Sequence, residues 1–157
     1  MANPGPAVTI SAHPQGATTG TTLRLVGTIK NVNANATGNY AIQVVNSAVY
    51  LLQSLIVTNL NNAGASVTPT GLAMGVATTS GGSSLYGAIT AANLSTPQGV
   101  SLVAPTASTT ANTVQNLYLN VTAGLTTVVP GATYDVYVYG YDFSVPFSAD
   151  VSERGHL

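Results

Sequence analysis

Residues that carry acid–base chemistry are scarce in this chain of 157 residues. Seven side chains are charged, which is 4% of the chain, whereas about a quarter of a typical domain is charged. They are Arg24, Lys30, Asp135, Asp142, Asp150, Glu153 and Arg154. Histidine is the common general base, but His13 and His156 lie near opposite ends of the sequence. Because no Gly-x-Ser-x-Gly nucleophile motif is present either, the sequence predicts no catalytic residues and a protein that is not an enzyme.

The two aspartates of the segment 132–143 do not make a catalytic pair with each other. Asp135 and Asp142 are seven positions apart. Side chains in a strand alternate between faces, so this odd spacing places them on opposite faces, about 23 Å apart along the strand. The paired carboxyl groups of a glycosidase lie much closer together. We expect Asp135 instead to form an exposed ion pair with Arg24 or Lys30 of a neighbouring strand, worth about 0–1 kcal/mol.

Sites for metals, cofactors and nucleic acid lack the residues that usually build them. The absence of cysteine excludes disulfides and thiolate metal sites. Asp142, Asp150 and Glu153 have the oxygen ligands that calcium prefers, but no Asp-x-Asp-x-Asp-Gly loop supports a site. Gly81-Gly82 lacks the lysine of a phosphate-binding loop, and three basic residues are too few to neutralise a nucleic-acid backbone. We therefore expect no metal, no cofactor and no nucleic-acid partner.

An aromatic stripe in the segment Ala132–Phe143 is the strongest candidate feature, because half of the ten aromatic residues lie there. Alternation along a strand places one set of side chains on one face: Tyr134, Val136 and Val138. The other face carries Asp135, Tyr137, Tyr139, Tyr141 and Phe143. The sequence leaves three interpretations of the stripe open: cross-strand packing within a sandwich, a platform for sugar, or a protein–protein contact surface. The last fits tyrosine because its ring supplies contact area and its hydroxyl a polar tip.

The rest of the chain predicts the β-strands that position this stripe. They are short, rich in Val, Ile, Thr and Tyr, and separated by clusters of Gly, Asn, Pro and Ser, which is typical of an antiparallel sandwich or barrel. The predicted strands are Ala7–Ser11, Thr22–Lys30, Tyr40–Val45, Ala48–Leu60, Gly71–Thr79, Ser84–Thr90, Val100–Ala104, Val114–Thr122 and Ala132–Phe143. Ala48–Leu60 is apolar on both faces, which indicates a central strand covered on both sides. A helix is the competing prediction there, because Val49, Leu52 and Ile56 share helical spacing.

The chain is predicted to form one all-β domain between two arms. We expect an antiparallel β-sandwich over residues 21–143, with extended N- and C-terminal arms at 1–20 and 144–157. Four of the seven charges fall from Asp142 onward. The first residues have neither the basic nor the apolar region of a signal peptide, and no run of about 18 apolar residues is present. We therefore expect no membrane span.

Four segments carry a resemblance to a known family: Ser47–Asn59, the Gly-Ala-Thr loop region, Leu117–Val121 and Tyr134–Asp142, which span roughly residues 47–143. Together they resemble small virion structural proteins of tailed bacteriophages, and most closely capsid decoration (cement) proteins. It implies a β-sandwich or jelly-roll-like unit, often a homotrimer, that binds the major capsid protein on the outside of an icosahedral shell. The expected localisation is the exterior of the virion capsid.

A decoration protein that binds the assembled shell and not its separated subunits stabilises the shell by its binding free energy. The residues predicted to contact protein partners are Tyr137, Tyr139, Tyr141, Phe143, Asp150, Glu153 and Arg154. The alternative prediction is a carbohydrate-binding module of a phage fibre or tail, or of a bacterial adhesin, that grips sugar with Tyr137, Tyr139 and Tyr141.

Overall fold

The computed structural model describes residues 23–45, 47–85, 89–94, 101–103 and 110–143. The predicted strand Ala7–Ser11 and both predicted arms lie outside these residues. Nine strands and one 3-10 turn, at Ala91–Asn93, account for the regular structure of the described residues. The strands are β1 (Leu23–Asn33), β2 (Gly38–Gln43), β3 (Tyr50–Asn62), β4 (Ala65–Ser66), β5 (Ala73–Ala77), β6 (Ile89–Thr90), β7 (Ser101–Val103), β8 (Asn116–Ala123) and β9 (Thr133–Asp142). The all-β prediction is confirmed.

The strands form two antiparallel sheets that pack as a sandwich. The larger sheet has the order β1-β9-β3-β4, with β7 also paired to β3, and the smaller sheet has the order β2-β8-β5-β6. Apart from the two-residue β4, the pairing is nested: β1 with β9, β2 with β8, β3 with β7, and β5 with β6. This arrangement of eight strands in two sheets is a jelly roll, so the predicted sandwich with jelly-roll-like topology is confirmed.

The core lies between the two sheets and is built by strict alternation in β9 and β8. In β9 the inward side chains include Tyr134, Val136 and Val138, which share one face, as predicted, and are fully buried. In β8, Leu117 and Leu119 point inward against them. Apolar side chains of the remaining strands complete the core, among them Val26, Ile42, Tyr50, Leu52, Leu55, Val57, Leu60, Met74, Val76 and Ile89.

Two β-bulges explain why β3 is apolar at both odd and even positions. The register of β3 against β9 shifts between Leu52 and Ser54 and again between Thr58 and Asn61. Each bulge adds one or more unpaired residues and changes which positions face the core. The inward positions are Tyr50, Leu52, Leu55, Val57 and Leu60. This mixed spacing resembles a helical pattern, but the segment is a strand, so the competing helix prediction is wrong.

β3 is a central strand, and among the described residues the second sheet covers its inner face alone. Its outward side chains Leu51 and Ile56 are half-buried, whereas its inward ones are buried. The described residues thus do not cover the two faces equally, contrary to the prediction. Apolar residues occupy both odd and even positions of β3 because the bulges shift the alternation, and not because a second described layer covers the strand.

Candidate protein-docking surface

The aromatic stripe lies at the centre of the outer face of the larger sheet. β9 pairs with β1 on one side and with β3 on the other, so its outward rings are flanked on both sides. The register gives three rows across the sheet: Leu23–Tyr141–Leu51, Leu25–Tyr139–Ser54 and Thr28–Tyr137–Ile56. We call these nine residues, together with Lys30 and Phe143, the tyrosine face.

The large side chains of the tyrosine face are only partly covered. Tyr137, Tyr139 and Tyr141 are half-buried between their neighbours, while Leu23, Leu25 and Phe143 are 45%, 42% and 47% exposed. The stripe is therefore outside the sandwich core, and its cross-strand contacts leave part of each ring accessible. Four of the predicted contact residues come together here (Tyr137, Tyr139, Tyr141 and Phe143). The other three, Asp150, Glu153 and Arg154, lie outside the described residues.

The aliphatic side chains that flank the stripe were missed in the sequence. Leu23 and Leu25 alternate in a predicted strand, and this pattern was a usable signal of an apolar outer face. Leu51 and Ile56 carried no such signal, because an unpredicted bulge lies between them.

Asp135 is held by two asparagines and not by a basic residue. Its Oδ1 accepts a hydrogen bond from the backbone N–H of Asn31 (2.9 Å), and its Oδ2 accepts one from the side-chain amide of Asn59 (3.1 Å). Both asparagines have left-handed backbone conformations, with φ of 57° and 59°, at the irregular stretches of β1 and β3. These bulges direct two donors at the carboxylate, which is only 7% exposed. The predicted exposed ion pair of Asp135 with Arg24 or Lys30 is therefore wrong.

Arg24 pairs with Asp142 on the opposite face of β9. A guanidinium nitrogen of Arg24 lies 2.6 Å from Oδ2 of Asp142, whose side chain is 4% exposed, whereas that of Arg24 is 34% exposed. Asp142 points to the same side as the buried Gly140, and Asp135 shares the outer side with the tyrosines. The two aspartates thus lie on opposite faces, as predicted, and do not form a pair.

Lys30 brings a positive charge to the tyrosine face. Its ammonium group lies 5.9 Å from the centroid of the Tyr137 ring, within the range of a cation–π contact. Lys30 is exposed, and within the described part of the chain no carboxylate lies within salt-bridge distance of it. The other described charges are engaged: Arg24 with Asp142, and Asp135 with its two asparagines.

The outer face of the smaller sheet is built differently. Its outward positions hold either small residues or neutral polar ones. The small ones are Ala41, Gly75 and Ala77, and the polar ones are Asn39, Gln43, Asn116, Tyr118, Asn120 and Thr122. We call these residues the asparagine face. The side chain of Asn120 accepts a hydrogen bond from the N–H of Gly81 (3.2 Å) and donates one to the carbonyl of Gly82 (2.9 Å). The loop Thr79–Ser84 is thereby held over this face.

Gly75 is required for the close approach of that loop. A Cβ atom at Gly75 would lie 2.5 Å from the hydroxyl oxygen of Ser84, so a larger residue would displace the loop. The loop and the strands enclose a cavity of about 80 Å³ lined by Met74, Gly75, Gly82, Ser84, Asn120 and Thr122. All six residues are neutral, so this cavity offers no acid–base chemistry.

Other parts of the described chain offer little for catalysis or ligation. A groove of about 340 Å³ is lined by neutral residues: Ser66, Val67, Thr68, Thr70, Thr127 and Val129. Among the described residues, no three His, Cys, Asp or Glu side chains come close enough to hold a metal ion. No helix in the same ranges is long and apolar enough to cross a membrane.

Comparison with known proteins gives no relative: no family model, no curated protein and no solved structure matches this chain. The fold and the contrast between its two outer faces are therefore the features on which a function can be proposed.

Proposed function

We propose that this protein is a structural component of a phage virion, a decoration protein that binds the outside of an assembled icosahedral shell. The observation that carries the proposal is the tyrosine face. Exposed patches of large apolar side chains on otherwise polar surfaces mark interaction sites, and aromatic residues are enriched in protein interfaces. The partly exposed Tyr137, Tyr139 and Tyr141, with Leu23 and Leu25 beside them, have this composition.

Docking by the face is favoured over strand addition at the sheet edge. Among the described strands, β1 is the edge strand beside β9, and its register is interrupted between Leu25 and Gly27 and between Ile29 and Val32. Bulges and lysines are common protections of edge strands against pairing with another chain, and β1 has both, with Lys30 next to the second irregularity. A partner therefore meets the side chains of the sheet and not its backbone.

The surroundings of the rings favour a protein partner over a sugar. Specific recognition of a small polar ligand needs polar groups that converge on it. The rings of β9 are flanked mainly by aliphatic side chains, and the hydroxyl of Thr28 already donates a hydrogen bond to the carbonyl of Val136 (3.1 Å). The carbohydrate-binding alternative is retained as an outcome of the test below.

The size of the face indicates how attachment would work. Three strands spaced about 4.8 Å apart and six residues long, at about 3.3 Å each, present roughly 300 Å². A stable pairwise interface buries about 800 Å² per partner, so one tyrosine face alone would hold weakly. We propose that a homotrimer engages several capsid subunits at once, since linked sites strengthen attachment without new contacts, and that Asp150, Glu153 and Arg154 add contacts.

The test is binding of the purified full-length chain to shells of the phage that encodes it. The expected result is co-sedimentation with assembled shells, weak or no binding to dissociated capsid subunits, and a higher temperature of shell disruption when the protein is bound. Failure to bind assembled shells would contradict the proposal. Specific binding on a glycan array that is lost in Tyr139→Ala would establish the carbohydrate alternative in its place.

A further inference from the structure

We infer that the surface that covers the tyrosine face is a flat apolar protein surface carrying a carboxylate that pairs with Lys30. This inference rests on the proposed function, because it specifies the partner of the same face. Its starting point is the position of the ammonium group, 5.9 Å from the centre of the Tyr137 ring. This contact places the charge against the aromatic stripe, where a docked partner must meet it.

Covering the tyrosine face removes water from Lys30. A cation–π contact replaces only part of the hydration of an ammonium group, and a charge buried without a partner is strongly unfavourable. Within the described residues, Lys30 has no carboxylate of its own, because Asp142 is paired with Arg24 and Asp135 is held by Asn31 and Asn59. No carboxylate among the described residues is available to compensate Lys30, so we assign this role to a carboxylate of the partner.

The same charges argue against a second copy of this face as the occupant. Two tyrosine faces packed together would bury two ammonium groups. The described acidic side chains, Asp135 and Asp142, are 7% and 2% exposed and already engaged, so neither can reach a neighbouring copy. Lys30 thus favours a partner surface that differs from the tyrosine face itself. A surface without an acidic residue opposite Lys30 is disfavoured, because docking would bury the ammonium group without a partner.

Lys30 is the only lysine of the sequence, which makes a direct test possible. A carbodiimide joins a carboxylate to a primary amine, so a cross-link in which a side chain of this protein supplies the amine must involve Lys30. The full-length protein is bound to assembled shells, cross-linked and analysed by peptide mass spectrometry. We expect an amide between Lys30 and an aspartate or glutamate of the shell subunit.

Variants separate the charge from the amine. Lys30→Arg keeps the charge, so it should bind within about threefold of the original affinity while losing the cross-link. Lys30→Gln should bind about tenfold more weakly and with a smaller dependence on salt. The matched control, Lys30→Gln with Gln43→Lys, restores the net charge on the exposed asparagine face and should bind as weakly as Lys30→Gln alone.

A second measurement does not depend on the shell. Methyl-terminated surfaces that contain a small fraction of carboxylate or of trimethylammonium groups serve as probes. The original protein should be retained several-fold better by the carboxylate surface, and this preference should disappear in the moved-charge control. Equal retention on the two surfaces would overturn the inference.

The outcomes distinguish the two proposals. Shell binding without a Lys30 cross-link, and with unchanged affinity in Lys30→Gln, overturns the inference and leaves the proposed function standing. A cross-link from Lys30 to Asp150 or Glu153 overturns it, because the carboxylate then belongs to this protein and not to the shell. Absence of any shell binding overturns the proposed function, and the coated surfaces then decide the inference alone.

Discussion

The two outer faces of the sandwich are both formed by antiparallel sheets, but they carry different kinds of side chain. On the asparagine face, small residues are covered by the loop Thr79–Ser84, which Asn120 holds in place with two hydrogen bonds. On the tyrosine face, large rings lie between aliphatic neighbours, and no described segment lies over them. The difference indicates that one face is completed by the chain itself, whereas the other is suited to be completed by a partner.

The inner faces of the two sheets show that core packing does not impose this difference between the outer faces. β8 and β9 both direct apolar side chains into the core, such as Leu119 and Val136, so core packing does not require the outward residues to differ. The outward positions of β8 are Asn116, Tyr118, Asn120 and Thr122, whereas those of β9 include three tyrosines. Packing leaves these positions free to vary, so their composition is the more direct indicator of function.

The largest expected effect is on binding. Tyr139→Ser removes the central ring of the tyrosine face and should weaken binding to assembled shells roughly 30- to 150-fold, equivalent to about 2–3 kcal/mol for an interface hot spot. Tyr118→Ser removes the one tyrosine of the asparagine face and should change binding less than about twofold. Co-sedimentation titrations of the two variants measure the contrast. Equal losses would remove the functional distinction between the faces.

The largest expected effect on stability is at Asp135, the polar residue that braces the tyrosine face. Asp135→Ala leaves the N–H of Asn31 and the amide of Asn59 without their acceptor, and should lower the free energy of unfolding by about 2–3 kcal/mol, because hydrogen bonds to a charged group are stronger than neutral ones. Asp135→Asn retains one oxygen acceptor and should lose roughly half as much. Urea unfolding measures both. A loss below about 0.5 kcal/mol in the alanine variant would show that the bulges hold without the carboxylate.

The corresponding residue of the asparagine face should matter less for stability and more for loop order. Asn120→Ala removes two neutral hydrogen bonds, so we expect a loss of about 1–2 kcal/mol. Amide hydrogen exchange should accelerate at Gly81 and neighbouring loop residues but stay unchanged in β9. If exchange in the loop is unaffected, the loop is held by contacts other than Asn120.

The smallest effects concern two tyrosines in the core, which contrast with those on the tyrosine face. The hydroxyl of Tyr50 donates a hydrogen bond to the carbonyl of Val114 (2.7 Å), whereas the hydroxyl of Tyr134 is buried without a partner among the described residues. Tyr50→Phe should therefore destabilise by about 1 kcal/mol, and Tyr134→Phe should be neutral or slightly stabilising. Thermal unfolding of the pair at neutral pH tests this, and equal losses would contradict it.

The dependence of stability on alkaline pH provides a second test of the same two tyrosines. Burial raises the pKa of Tyr50 from 10.0 to about 12, and that of Tyr134 is raised further by burial and by Tyr40. Because the unfolded chain loses these protons first, the stability contributed by the neutral hydroxyl of Tyr50 is complete below pH 10 and is lost as pH rises towards 12. Tyr50→Phe should show a shallower loss of stability across this window.

Alternation was sufficient to predict both faces of β9. β9 keeps a two-residue period from Tyr134 to Tyr141, so the pattern alone separates its two faces, and the structure then shows which face is the core. Tyr134 and Tyr137 were assigned to opposite sides for this reason, and the structure agrees.

Contacts between residues far apart in the chain could not be predicted from the sequence. The bulges of β1 and β3 depend on how each strand is paired with β9, and the donors to Asp135 come from positions 104 and 76 residues away. A local pattern contains no information about such partners, so the ion pair proposed for Asp135 was wrong. The cover that Thr79–Ser84 gives the asparagine face likewise depends on the fold, through Gly75 and Asn120.

The placement of β9 between β1 and β3 has a consequence for biosynthesis. β9 is the last described strand to leave the ribosome, yet it occupies the middle of the larger sheet. Until it is translated, β1 and β3 lack the strand that joins them, and the rings of Tyr137, Tyr139 and Tyr141 do not yet exist. An incomplete chain therefore has no tyrosine face, so under the proposed function only a protein translated through β9 could attach.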